Sequence, residues 1–293
     1  MSSPALATAR TAAADYLELT KPRITLMVMI TALVGFVMAS PQGVDVGGLL
    51  AALLGTGLVA AGASTLNMVF ERDIDARMHR TQRRPLPSGR LRAVEATVFG
   101  LAVTVFGLAE LAWQSGPAAT AVAAATWASY LFLYTPLKPL TSLSTIVGAF
   151  PGALPPVIGW AAARGSIDGG AMVLFAIVFL WQIPHFLAIA WIYREDYARG
   201  GLRMLPVVDP EGGVTGRQAV ANSVALLVVS VTPVLARMAG DIYLVGALVL
   251  GVLFTYAAGV AAVRRTVAAA RTLFLVSVLY LPALFGLLLL DRR

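Results

Sequence analysis

Asn67, Glu71 and Asp75 recur at every fourth position in NMVFERDIDARMHRTQRRPLPSGR, the string from Asn67 to Arg90. On a helix continued through Met78 they form one stripe that drifts by about 40° per step. An amide and two carboxylates on one face suit Mg²⁺, which takes one or two carboxylates and completes its octahedron with water and phosphate oxygens. Arg80 and Arg84 in the same string offer forked donors to those oxygens. A second acid-and-arginine string, WIYREDYARGGLRMLP, brings Tyr193, Arg194, Glu195, Asp196 and Arg203. Tyr134 and Lys138 stand four apart in YTPLKPL, and Lys21 and Arg23 lie in TKPR. Taken singly, each is ordinary for a solvated loop beside a membrane span. Together they make a cationic, carboxylate-bearing bowl suited to a diphosphate. No GxxxxGK[ST] loop is present, which counts against a nucleotide.

The elements that must hold these residues are apolar helices. Hydrophobic residues make up 58% of the chain and charged ones 13%, with mean hydropathy +0.80. Soluble domains carry about 25% charged residues. The apolar residues come in runs long enough to cross a hydrocarbon core of about 30 Å. Nine spans are expected, near 23–40, 46–70, 93–113, 117–134, 142–163, 170–192, 217–237, 242–263 and 272–290. This predicts an all-α, polytopic membrane protein in which 1–293 is a single integral-membrane domain with residues 1–20 as a polar tail. Gly, Ala and Ser within several spans allow close helix approach in lipid. Pro151, Pro155 and Pro156 break the fifth span, which is tolerated at membrane depth only where protein or a cavity covers the freed backbone.

Lysines and arginines are lopsided about these spans: 18 on the side of the N-terminus and four on the other. Cytoplasmic loops carry such an excess, so the N-terminus is expected in the cytoplasm and the C-terminus outside, in the inner membrane. The net charge of +7 is thereby explained by topology, not by nucleic acid, and the lipid bilayer is the first partner. With no cysteine there is no thiol nucleophile and no thiolate metal site, and no signal peptide is evident.

His185 follows Pro184 inside the sixth span, near Gln182. Intramembrane ionisable groups are functional candidates; a neutral imidazole here either ligates haem iron or hydrogen-bonds across helices. His79 reads as a solvated loop residue, Trp160, Trp181 and Trp191 as interfacial anchors, and Glu110 receives no role.

The Asn67/Glu71/Asp75 spacing, the Tyr134/Lys138 pair and an acidic loop after the sixth span resemble the UbiA superfamily of intramembrane prenyltransferases. The strings LTKPR, ERDIDARMHRTQRRPLPSGR, PGALPPVIGWAA, PHFLAIAWIYREDY and MLPVV, spread from residue 19 to 208, are similar to its haem-farnesylating branch. The resemblance implies nine helices around a central cavity, farnesyl diphosphate and haem b as substrates, and Mg²⁺ as cofactor. It implies that Asn67, Glu71 and Asp75 hold metal and diphosphate, with Lys138 catalytic and Tyr134 beside it. Glu195 and Asp196 stand where a second metal-binding motif is usual, and Met68 departs from the Asp that often follows the Asn. Lys21, Arg23, Arg80, Arg84, Tyr193, Arg194 and Arg203 are then substrate-side candidates, and a downstream haem-modifying enzyme is a further partner. The nearest alternative is a related enzyme acting on an aromatic quinone precursor; a secondary transporter fits less well, because transporters place ionisable groups near the midplane.

Overall fold

The computed structural model describes residues 12–293, so the first eleven residues of the expected tail lie outside it. The described chain is helical, with one isolated bridge between Ala239 and Arg292. The helices of eight residues or more are α1 (Ala12–Leu19), α2 (Pro22–Met38), α3 (Val46–Phe70), α4 (Ala93–Glu110), α5 (Gly116–Ala128), α6 (Ser144–Ala153), α7 (Pro155–Arg164), α8 (Gly169–Ile192), α9 (Gly213–Val229), α10 (Asp241–Arg264) and α11 (Val267–Leu290).

Expected and observed spans agree in place, but not in number. Among the described residues seven helical stretches are long and apolar enough to cross a membrane, or eight when α1 and α2, bent by 46°, count as one. The difference from nine lies in residues 93–137, where two expected spans form one stretch of 45 residues. A π-helical segment, Leu111–Ser115, carries α4 to Gly116, whose φ of 83° departs from helical geometry. At 1.5 Å per residue a straight rod of that length is about 68 Å, over twice the hydrocarbon thickness. Residues 12–19 are also not plain tail: Leu19 is buried with Met68, Leu86, Leu91 and Ala96.

The proline-rich span divides at Leu154 into α6 and α7. Gln182 of α8 covers the region by donating its side-chain amide to the Ala149 carbonyl at 3.2 Å. The closest packing pairs α3 with α4 and α2 with α7; α8, α9, α10 and α11 pack among themselves as a second group. At one end of the bundle Arg292 donates to the Val37 carbonyl and Arg164 to the Ala39 carbonyl. The other end gathers the acid-and-arginine strings.

Candidate active site

The stripe through Asn67, Glu71 and Asp75 survives a break in its helix. α3 stops at Phe70 rather than running to Met78, and Glu71 leaves helical geometry at φ −98°, ψ 5°. The i to i+4 bonds nonetheless continue, Glu71 N–H to Asn67 O at 3.0 Å and Asp75 N–H to Glu71 O at 2.7 Å. All three side chains are buried, at 1%, 7% and 1% exposure. The stripe faces protein, not lipid.

Each of the three meets a different cation. Lys21 Nζ donates to Asn67 Oδ1 at 2.8 Å, Lys138 Nζ to Glu71 Oε1 at 2.6 Å, and Arg84 Nη1 to Asp75 Oδ2 at 2.7 Å. Lys21 reaches Asn67 from a left-handed backbone, φ 47°, at the junction of α1 and α2. A non-glycine residue held there costs about 1–3 kcal/mol, and such strain gathers at functional positions. Lys138 also lies 4.4 Å from the centre of the Tyr134 ring. Burial works against its charge, but Tyr134 and Glu71 outweigh it and hold the ammonium protonated well above the usual lysine range. The Tyr134 ring sits against Gly148, where a methyl group would stand 2.5 Å from Cε2.

Two further residues complete the setting. Ser129–Tyr134 is a second π-helical segment, a geometry frequent at functional sites. Within it Tyr130 donates its hydroxyl to Asn67 Oδ1 at 3.3 Å, and just beyond it Thr135 accepts from Asn67 Nδ2 at 3.1 Å. Nothing in hydropathy marks either; the aromatic run SYLFLY ahead of a Thr-Pro pair is the nearest signal in the sequence.

The second string closes over the first. Asp196, on the short helix Arg194–Arg199, accepts from the backbone N–H of His79 at 2.8 Å and of Arg80 at 3.0 Å, and pairs with Arg199 at 2.8 Å. Burial alone would raise its pKa, but these donors hold the carboxyl below its ordinary value. Both its oxygens are therefore engaged with protein. Glu195 is exposed. Arg80 lies over the rings of Tyr193 and Tyr197, and Arg194 over Trp191. Arg80, Trp191, Tyr193 and Arg194 border an open cleft of about 450 Å³. Arg203 is exposed and joins the cluster through its backbone, its N–H donating to the Lys138 carbonyl at 2.9 Å. Arg23 is exposed and has no hydrogen bond or ion pair to the cluster among the described residues.

A site of this donor chemistry fits Mg²⁺. Among the described residues no three acidic or histidine side chains gather to hold a metal unaided. Glu71 Oε2 and Asp75 Oδ1 accept no hydrogen bond there, leaving hard oxygen donors for an ion whose other ligands are phosphate oxygens and water.

Comparison with known proteins places the chain in a family. The model of the UbiA prenyltransferase family matches residues 28–285. The protoheme IX farnesyltransferase of Solibacter usitatus is 50% identical over 287 residues, covering 95% of this chain and 98% of that one. That of Salinibacter ruber is 45% identical over 277 residues, covering 94% and 98%. The chain belongs to the UbiA prenyltransferase family. Among solved structures this UbiA prenyltransferase resembles a digeranylgeranylglyceryl phosphate synthase, with TM-score 0.80 and 18% identity over 94% of this chain and 97% of that one. It also resembles a UbiA homolog from Archaeoglobus fulgidus bound to GPP and Mg²⁺, with TM-score 0.69 and 18% identity over 94% and 99%. Both likenesses concern the fold.

Proposed function

We propose that this multi-pass membrane protein transfers the farnesyl group of farnesyl diphosphate to a vinyl group of haem b, with addition of water, giving haem O and pyrophosphate. The observation that carries the prenyl-transfer chemistry is the buried set Asn67, Glu71 and Asp75, each facing its own cation. Near-identity of length and 50% identity with a protoheme IX farnesyltransferase support haem as the acceptor.

The allylic C–O bond breaks and its electron pair leaves with pyrophosphate. Lys138, Lys21 and Arg84 are placed to stabilise the charge that develops on those oxygens, as preorganised donors in a water-poor site. Arg80 and Arg194 border the neighbouring cleft, and the Arg203 segment reaches Lys138 through its backbone. Asn67, Glu71 and Asp75 would hold Mg²⁺, which when bound supplies Lewis-acid stabilisation of the leaving group. Glu195 remains free to reach a second ion, whereas Asp196 would first have to release His79, Arg80 and Arg199. Tyr134 and Tyr130 line the route with π-faces that offset a carbocation, and the apolar helices exclude water from it. The terminal vinyl carbon gives its π pair to the farnesyl cation. Water then captures the cation beside the porphyrin and loses a proton.

The charge bias favours a cytoplasmic N-terminus and an outer C-terminus in the cytoplasmic membrane, with the product passed to a haem-modifying enzyme. The test is mass analysis of haem extracted after incubating purified protein with farnesyl diphosphate, haem b and Mg²⁺. Haem gaining one farnesyl group and one hydroxyl is the expected result; unchanged haem alongside a prenylated small aromatic acid would move the enzyme to a quinone-precursor branch.

A further inference from the structure

His185 takes no part in the diphosphate cluster, yet it is held more tightly than a helix-packing residue requires. Its imidazole lies between Trp181, at 5.0 Å and an interplanar angle of 23°, and Phe274 of α11, at 5.1 Å and 33°. Trp181 is itself pinned, since its indole N–H donates to the Ser277 carbonyl at 2.7 Å. Ser277 Oγ stands 2.7 Å from His185 Nδ1.

The contacts of the Ser277 hydroxyl favour one tautomer. Ser277 Oγ also lies 2.6 Å from the Phe274 carbonyl, an acceptor for its single proton. The tautomer that satisfies both contacts puts the hydrogen on Nδ1, donating to Ser277, and leaves Nε2 a lone pair. Among the described residues no hydrogen bond reaches Nε2. Nor does it belong with the polar atoms sealed inside without a partner, so it faces accessible space. At membrane depth lipid offers no donor, and an unpartnered nitrogen there is costly. A neutral imidazole whose other ring nitrogen is fixed by a hydrogen bond is the arrangement that metal-binding histidines use.

We propose that His185 Nε2 ligates the iron of the haem substrate and that Ser277, with Trp181, is the positioning residue that fixes this tautomer and ring orientation. The inference rests on the reading of haem as acceptor. His185 lies seven residues before the end of α8 at Ile192, about 10 Å below the cationic mouth at 1.5 Å per residue. An iron held there would lie among the apolar helices, on the membrane side of that mouth.

The test uses full-length protein in detergent, titrated with haem b and followed by absorption and by electron paramagnetic resonance of the ferric form. The wild type is expected to show a nitrogen-ligated iron, and His185→Ala to lose that signature. Ser277→Ala is expected to weaken haem binding about 10- to 100-fold, the usual cost of removing a metal ligand's hydrogen-bond partner, while Ser277→Thr restores it. Added imidazole should return the nitrogen-ligated signal to His185→Gly. Asp75→Asn should keep the wild-type haem spectrum. Identical spectra for wild type and His185→Ala, or unchanged affinity in Ser277→Ala, overturn the proposal. If the wild type still makes farnesylated haem in that case, the transferase reading stands without the ligand; if it makes none, the reading itself has failed.

Discussion

Lys138 and Glu71 form a pair buried on both sides, with side-chain exposures of 12% and 10%. Truncating one partner of such a pair strands the other charge and costs about 3–5 kcal/mol. Glu71→Ala is therefore expected to lose both turnover and thermal stability, whereas Glu71→Gln, which keeps the shape and an acceptor oxygen, should lose mainly turnover, by roughly 10²-fold or more. Product formation and thermal unfolding in detergent separate the two effects; a fully active Glu71→Gln would remove this carboxylate from the chemistry. Lys138→Ala should weaken pyrophosphate binding more than haem binding, and equal losses would deny it the diphosphate. The same pairs set the order of loading. Lys138 and Arg84 already occupy one oxygen each of Glu71 and Asp75, so a lone divalent cation must compete with two bases until phosphate oxygens draw them away. Mn²⁺, followed by electron paramagnetic resonance, is accordingly expected to bind weakly alone and at least tenfold more tightly with pyrophosphate. Tight binding of Mn²⁺ by itself would show that the bases do not compete for the carboxylates.

At the scale of the element, the short helix Arg194–Arg199 matters for what Asp196 grips. Its carboxylate caps two backbone N–H groups of the first string, so it fixes how the loop carrying Arg80 and Arg84 lies over the site. Because the folded-state pKa is depressed, the stabilisation is complete above the unfolded value near 3.9 and is lost as pH falls through the lower folded value. Asp196→Asn should lower stability at pH 7 by about 1–3 kcal/mol and flatten the acid limb of the stability profile. An unchanged acid limb in the variant would place the sensitivity elsewhere. Elements also show what could be read in advance. Spans declare themselves because lipid demands long apolar runs, and the ends of α3, α8 and α10 fall within a residue or so of expectation. The Asn67/Glu71/Asp75 stripe was legible from its spacing alone. The break at Glu71 was not, since glutamate is a good helix former, and neither was the π-helical Ser129–Tyr134, whose apolar residues suit any helix. Arg23 shows the opposite limit: charge and position put it with Lys21, but its neighbours on α2 turn it outward. Hydropathy sees composition, and only packing decides direction.

For the whole molecule, the charge bias and the site fall at the same end of the bundle. The charge bias of 18 Lys and Arg against four sets orientation through the membrane potential and anionic lipid. The contacts Lys21 to Asn67, Lys138 to Glu71 and His79 to Asp196 join four stretches of the chain into one face. That face is where the charged diphosphate head would bind, with the prenyl tail among the apolar helices. Because the site's own Lys and Arg belong to that charged side, orientation is testable through chemistry as well as topology. In sealed vesicles with the cytoplasmic face outward, externally added pyrophosphate should inhibit turnover, and a membrane-impermeant reagent should label a cysteine placed at Gln82 but not one at Arg293. In vesicles of opposite orientation both results should reverse. Labelling at Arg293 from the face where pyrophosphate inhibits would put both termini of the bundle on one side, and would require an even number of crossings in place of the odd number that the sequence implies.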